Sequence, residues 1–128
     1  MQHLEYELQK AVCRYLSYQY SEVEYMSDTI ANLKLTMQQA SRNKAIQKNG
    51  FKCPDLIILE PRNGYHGLFI ELKLETPFKK DGSIKASKND HLKGQLETIE
   101  RLNSKGYFAC FTWGFDMTKE IIDNYLKQ

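Results

Sequence analysis

Two short apolar runs with a turn between them constrain this chain more than any other feature. Asp55-Leu56-Ile57-Ile58-Leu59-Glu60 and Gly67-Leu68-Phe69-Ile70-Glu71-Leu72-Lys73-Leu74 are rich in Ile, Leu and Phe, and Pro61-Arg62-Asn63-Gly64-Tyr65-His66 separates them. Runs of this length, bounded by Pro, Asn and Gly, read as a β-hairpin. The second run is apolar on both faces, the pattern of a central strand covered on both sides. Pairing outward from the turn sets Asp55 opposite Glu71 to Lys73, and strand alternation puts Glu71 and Lys73 on one face with Leu72 on the other. Two carboxylates and one ammonium then converge in a largely desolvated place. Like charges that close repel strongly at low dielectric, and Lys73 can offset only one of them, so a divalent cation is the natural third party. The alternative is plainer: Asp55 caps a strand end while Glu71 pairs with Lys73 as an edge ion pair.

Helices and one more strand account for the rest of the chain. Gln2 to Gln19 carries Leu4, Leu8, Ala11, Val12, Tyr15 and Leu16 at helical spacing. Asn32 to Asn49 is a weaker helix with Leu33, Met37, Ala40 and Ile46, ended by Asn49-Gly50. Asp90 is expected to cap a helix with the stripe Leu92, Leu96, Ile99 and Leu102, stopped by Lys105-Gly106. Tyr107 to Trp113 reads as a third strand, and Asp116 as the cap of a last helix carrying Ile121, Ile122, Tyr125 and Leu126. Thr76 to Asn89, with Asp81-Gly82 as a turn, is expected to be a mobile loop.

With 128 residues, 41% of them hydrophobic, the expectation is one domain spanning residues 1–128. No apolar run approaches membrane-spanning length and the N-terminus lacks a signal-peptide pattern, which predicts a soluble, cytoplasmic protein with no membrane partner. Cys13, Cys53 and Cys110 are odd in number and widely spaced, so they read as reduced thiols packed like small hydrophobes.

Charge distribution says more than the net charge of +2. No acidic residue occurs between Thr29 and Pro54, where Lys34, Arg42, Lys44, Lys48 and Lys52 lie. Lys79, Lys80, Lys85, Lys88 and Lys93 dominate the stretch from Pro77 to Lys93. Basic segments on both sides of a carboxylate hairpin suit a phosphate backbone approaching it, although a solvated face is the usual meaning of such runs. The candidate phosphate contacts are Arg42, Lys44, Lys48, Lys79, Lys80, Lys85 and Lys88. Two polar residues also sit in apolar stripes: Gln95 between Leu92 and Ile99, and Glu5 three before Leu8 and seven before Val12. A buried amide or carboxylate costs on the order of 1–3 kcal/mol without a partner, so each should meet either a backbone group or the carboxylate site.

Pro54-Asp55 followed by Glu71-Leu72-Lys73 resembles the PD-(D/E)xK signature of metal-dependent nucleases. More closely, the chain resembles the VRR-NUC family of small virus-type replication and repair nucleases. The matching words are Asn49-Gly50, Cys53-Pro54-Asp55-Leu56, Gly67-Leu68-Phe69-Ile70-Glu71-Leu72-Lys73, Gln95, Leu102 and Gly106-Tyr107. Two departures stand out: the long Lys-rich segment Pro77 to Lys93 replaces a short Gly-rich link, and Cys53 stands where a small residue is usual. The resemblance implies an α/β domain, a small mixed sheet flanked by helices with a restriction-endonuclease-like core. It also implies Mg²⁺ or Mn²⁺ held by Asp55, Glu71, the backbone carbonyl of Leu72 and, through water, Glu5. Glu7 competes with Glu5 for that last role. Lys73 would orient the attacking water and stabilise the phosphate, and Gln95 would hold Lys73 or the water. The function so implied is a metal-dependent DNA endonuclease, structure-selective in replication, recombination or repair, acting in a bacterial or phage-infected cell. The alternatives are a restriction-type or nicking nuclease, or a DNA-binding module without catalysis. One metal centre per chain cuts one strand, so paired cuts predict a homodimer, with Tyr18, Tyr20 and Tyr25 as interface candidates or, alternatively, as cover for the core.

Overall fold

The computed structural model describes residues 4–27 and 34–127. The elements are α1 (Leu4–Gln19), β1 (Tyr25–Ser27), α2 (Met37–Ile46), β2 (Leu56–Ile58), β3 (Leu68–Lys73), α3 (His91–Ser104), β4 (Phe108–Trp113) and α4 (Phe115–Leu126), with a 3₁₀ turn at Lys88–Asp90 before α3. Of the expected helix stretches, Gln2 and His3 as well as Asn32 and Leu33 lie outside the described residues.

The hairpin forms as its residues require. Asn63 and Gly64 take φ of 51° and 83°, and the backbones of Arg62 and Tyr65 bond to each other across them. Two successive positive φ values make the tight turn whose twist matches a hairpin, which is why Asn-Gly serves there. β2 and β3 pair antiparallel with Leu56 opposite Ile70 and Ile58 opposite Leu68, and β3 pairs parallel with β4 with Glu71 beside Phe111. The sheet order is β1-β2-β3-β4, so β3 is paired on both edges and the sheet is mixed. A parallel neighbour demands a crossover, and α3 supplies it.

Alternation divides the two faces. Leu56, Ile58, Leu68, Ile70 and Leu72 are buried with Val12 and Leu16 of α1 and with Ile122, Tyr125 and Leu126 of α4. Ala109 and Phe111 pack with Ile99 of α3 on the other face, joined by Phe69, Leu92, Leu96 and Trp113. The fold is therefore α/β, a four-stranded mixed sheet between helices. No helix among the described residues is long and apolar enough to cross a membrane.

Several local expectations are corrected. Asp90 does not cap α3: it adopts a left-handed φ of 53° without a side-chain bond to the helix, and Ser87 Oγ accepts from the Leu92 N–H at 2.8 Å instead. Asp116 lies inside the first turn of α4, whose N-cap is Gly114, so it favours the helix through its charge near the N-terminal N–H groups. The segment expected to be mobile is tied down. Phe78 bridges to Ile84, Pro77 is buried, and the Phe78 ring meets Phe111 and Trp113 edge-on at 5.6 and 6.2 Å. Cys13 and Cys110 are half-buried against the core, where burial raises both thiols, Cys110 to about 12; Cys53 is exposed rather than packed.

Strand β1 was absent from the sequence reading, although Val23 and Tyr25 alternate with Glu24 and Met26. It takes up Tyr25, one of the tyrosines proposed for an interface, and Tyr20, just after α1, is engaged as well. Tyr25 packs on the core with its hydroxyl 2.8 Å from Ser17 Oγ, and Tyr20 donates to Asp123 Oδ1 at 2.6 Å beside Tyr15 at 2.5 Å. Burial opposes ionisation of Asp123, but these hydroxyls and Lys119 outweigh it and hold the carboxyl at about 2. Only Tyr18, 90% exposed, remains available to a partner.

Candidate active site

The hairpin register sets the geometry of the site. Continuing the β2–β3 pairing one residue past Leu56 and Ile70 brings Asp55 opposite Glu71, on the face shared with Lys73. The Leu72 N–H donates to Asp55 Oδ2 at 2.8 Å. Because a strand residue points its N–H and C=O to the same edge, the Leu72 carbonyl also faces the open edge beyond β2. The Asp55 backbone is fixed from behind: Ser27 Oγ donates to its carbonyl at 2.5 Å while accepting from Gln9 Nε2 at 2.6 Å.

Glu71 is 3% exposed, and burial lifts its carboxyl far above the ordinary carboxylate range. The charge of Asp55 and a hydrogen bond with it push the same way, and Lys73 opposes them. Burial and the neighbouring charge of Asp55 both favour the protonated form of Glu71.

Glu5, Asp55, Glu71, Leu72, Lys73 and Gln95 all line one cavity of about 680 Å³. Sequence reasoning left Glu5 and Glu7 in competition. Both are exposed, so Glu5 is not the buried carboxylate its place in the stripe suggested, but Glu5 shares a helix face with Gln9 and Val12 and lines the cavity, whereas Glu7 does not. Gln95 is 6% exposed and its Oε1 is buried without a hydrogen-bond partner. Lys73 Nζ lies 5.9 Å from the centre of the Phe111 ring.

The remaining predicted residues sit at the margins. Arg42 and Lys44 are exposed on α2 and Lys48 just beyond it, while their neighbours Asn43 and Gln47 line the cavity. Lys79, Lys80 and Lys88 are exposed on the tied-down segment and Lys85 is half-buried there. None of these seven lines the cavity itself.

Among the polar wall residues that sequence reasoning did not place at the site are Gln9 and His91, and Lys52, read only as part of a basic run, lines the wall as well. Gln9 carried the same signal as Gln95, a polar residue three before Val12 and seven before Leu16 in a buried stripe. His91 is kept from protonation first by burial and then by Lys73 and Lys52, against the pull of Asp55 and Glu5.

The donor set fits a hard divalent cation. Its atoms are oxygens, its two nearest carboxyls repel in the absence of positive charge, and a buried amide oxygen stands ready for a donor such as water. Among the described residues no three His, Cys, Asp or Glu side chains form a ligand cluster, so two carboxylates, a carbonyl and water are the ligands on offer.

No family model matches this chain, and no curated protein does. A solved structure named "VRR_NUC domain protein" matches it with a TM-score of 0.61 at 26% identity, covering 96% of this chain and 88% of that one. The likeness runs nearly the whole length of both chains and agrees with the resemblance read from the sequence.

Proposed function

We propose that the chain is a metal-dependent DNA endonuclease that hydrolyses phosphodiester bonds, selective for branched or junction DNA in replication, recombination or repair. The observation that carries this reading is the convergence of Asp55 and Glu71 on one desolvated spot, with Lys73 and Gln95 in the same cavity. A structural ion pair would not require a second carboxyl there. The named neighbour, a VRR_NUC domain protein, points the same way.

Asp55, Glu71 and the Leu72 carbonyl would hold Mg²⁺ or Mn²⁺, with Glu5 acting through water. When bound, such an ion stabilises charge on the phosphate and lowers the pKa of a coordinated water. The chain's own groups do the rest. Leu72 N–H keeps Asp55 aimed inward, and burial disfavours the charged form of Glu71, which nearby positive charge would favour. Lys73 orients the attacking water and takes up charge on the phosphate oxygens. Gln95 Oε1 accepts from that water or from the Lys73 ammonium. Two opposed cuts in a junction call for two such sites, hence a homodimer.

Cleavage of single-stranded, duplex, flap and four-way-junction DNA with Mg²⁺ or Mn²⁺ tests the reading. Junction DNA should be cut in preference, and Asp55→Asn or Glu71→Gln should abolish both cutting and Mn²⁺ binding by calorimetry. Cleavage retained in either variant would remove the proposed site.

A further inference from the structure

Lys52 enters the cavity between α2 and β2, and two contacts hold it. Its backbone N–H donates to Oγ1 of Thr98, a buried residue of α3, at 3.0 Å. Its side chain runs along the first turn of α3: a Cβ placed on Gly94 would stand 3.0 Å from its Cε, 3.4 Å from its Cγ and 3.8 Å from its Cδ. The φ of Gly94 is not positive, so the backbone alone does not demand glycine there. Glycine inside a helix costs about 1 kcal/mol relative to alanine. What the missing Cβ provides is the track in which the Lys52 stem lies.

That track carries a cation to a defined place. Among the described residues Lys52 makes no ion pair. Lys52, itself exposed, lines the same cavity as Lys73, Asp55 and Glu71, and the charges of both lysines act on His91 in its wall. A phosphate drawn to a cation at Asp55 and Glu71 would meet further cationic groups in the same cavity, and Lys52 is one of them.

Resting on the nuclease reading above, we propose that Lys52, kept in its track by Gly94, is a second phosphate-binding cation that takes a phosphate of the bound strand on the α3 side of the cavity. Gly94 is then a positioning residue. Fluorescence anisotropy of labelled junction DNA, with Ca²⁺ replacing Mg²⁺ and over a series of salt concentrations, tests this. Lys52→Met should weaken binding on the order of tenfold and reduce the slope of log affinity against log salt by about one, and Lys52→Arg should restore both. Gly94→Ala, which favours the helix, should weaken binding in the same way while circular dichroism shows an unchanged fold. The double variant should bind no more weakly than Lys52→Met alone, because one lost contact cannot be lost twice. A parent-like salt slope in Lys52→Met, or effects of the two substitutions that add, would overturn the proposal while leaving the nuclease reading intact. A parent protein that binds no DNA would instead overturn that reading, and this proposal with it.

Discussion

At the scale of single residues, the raised carboxyl of Glu71 makes a sign-definite statement about pH. Its folded pKa lies above its unfolded value of about 4.3, so the stability it confers on the metal-free protein is fully present below that value and is lost as pH rises through the folded pKa. Glu71→Gln removes the titration. In EDTA, the variant should therefore be more stable than the parent at pH 8 by on the order of 1–2 kcal/mol, with the gap closing toward pH 4, as read from denaturant midpoints. Mn²⁺ should raise the parent's midpoint and not the variant's; a pH-independent gap would mean that Glu71 is an ordinary surface carboxylate. Lys73 obeys a different logic, since its part is played when charge builds on the phosphate. Lys73→Ala should leave DNA affinity within a few-fold of the parent while lowering the single-turnover rate by roughly two orders of magnitude or more. A loss confined to affinity would reduce Lys73 to a phosphate contact.

At the scale of elements, the segment between β3 and α3 shows what periodicity can miss. Its lysines and its Asp81-Gly82 turn suggested a loose loop, but Phe78 anchors it on Phe111 and Trp113. One aromatic residue in a polar stretch decides the matter, and its partners lie over thirty positions away. Because Phe78 and Ile84 do the holding, replacing Lys79, Lys80, Lys85 and Lys88 by Ala should leave the fold unchanged. Binding of all DNA structures should weaken alike, with a salt slope shallower by up to roughly three. An unchanged slope would put the segment against solvent. The hairpin, by contrast, was legible, since Asn63-Gly64 and the apolar runs fix the register and the register brings Asp55 opposite Glu71. The helix caps were not: Ser87 bonds the first turn of α3 in place of Asp90, and Gly114 rather than Asp116 holds the N-cap position of α4, without a side-chain bond, because capping depends on where the chain enters the helix and not only on residue type.

At the scale of the whole molecule, the cavity gathers residues from α1, α2, β3 and α3, so the long-range part of the site could not be read from spacing. Gln95 stood out by its misfit in an apolar stripe and is buried, whereas Glu5, read the same way, lines the cavity but is exposed; Lys52 was read only as part of a basic run, because its place depends on a glycine some forty residues on. The paired-cut argument still predicts a homodimer at micromolar concentration, to be seen by analytical ultracentrifugation, but Tyr20 and Tyr25 are committed inside the fold and Tyr18 alone is left to the contact. A monomer both free and on junction DNA would make the protein a nickase. Among the described residues, α2 is the one α-helix that buries none of its residues, even Met37 at 91% and Ile46 at 82% exposure, while Asn43 and, just past its end, Gln47 line the cavity. Natural selection is thus free to rewrite this stretch at little risk to the core, and a lineage could try out new substrates there while the inherited chemistry below stays as it is.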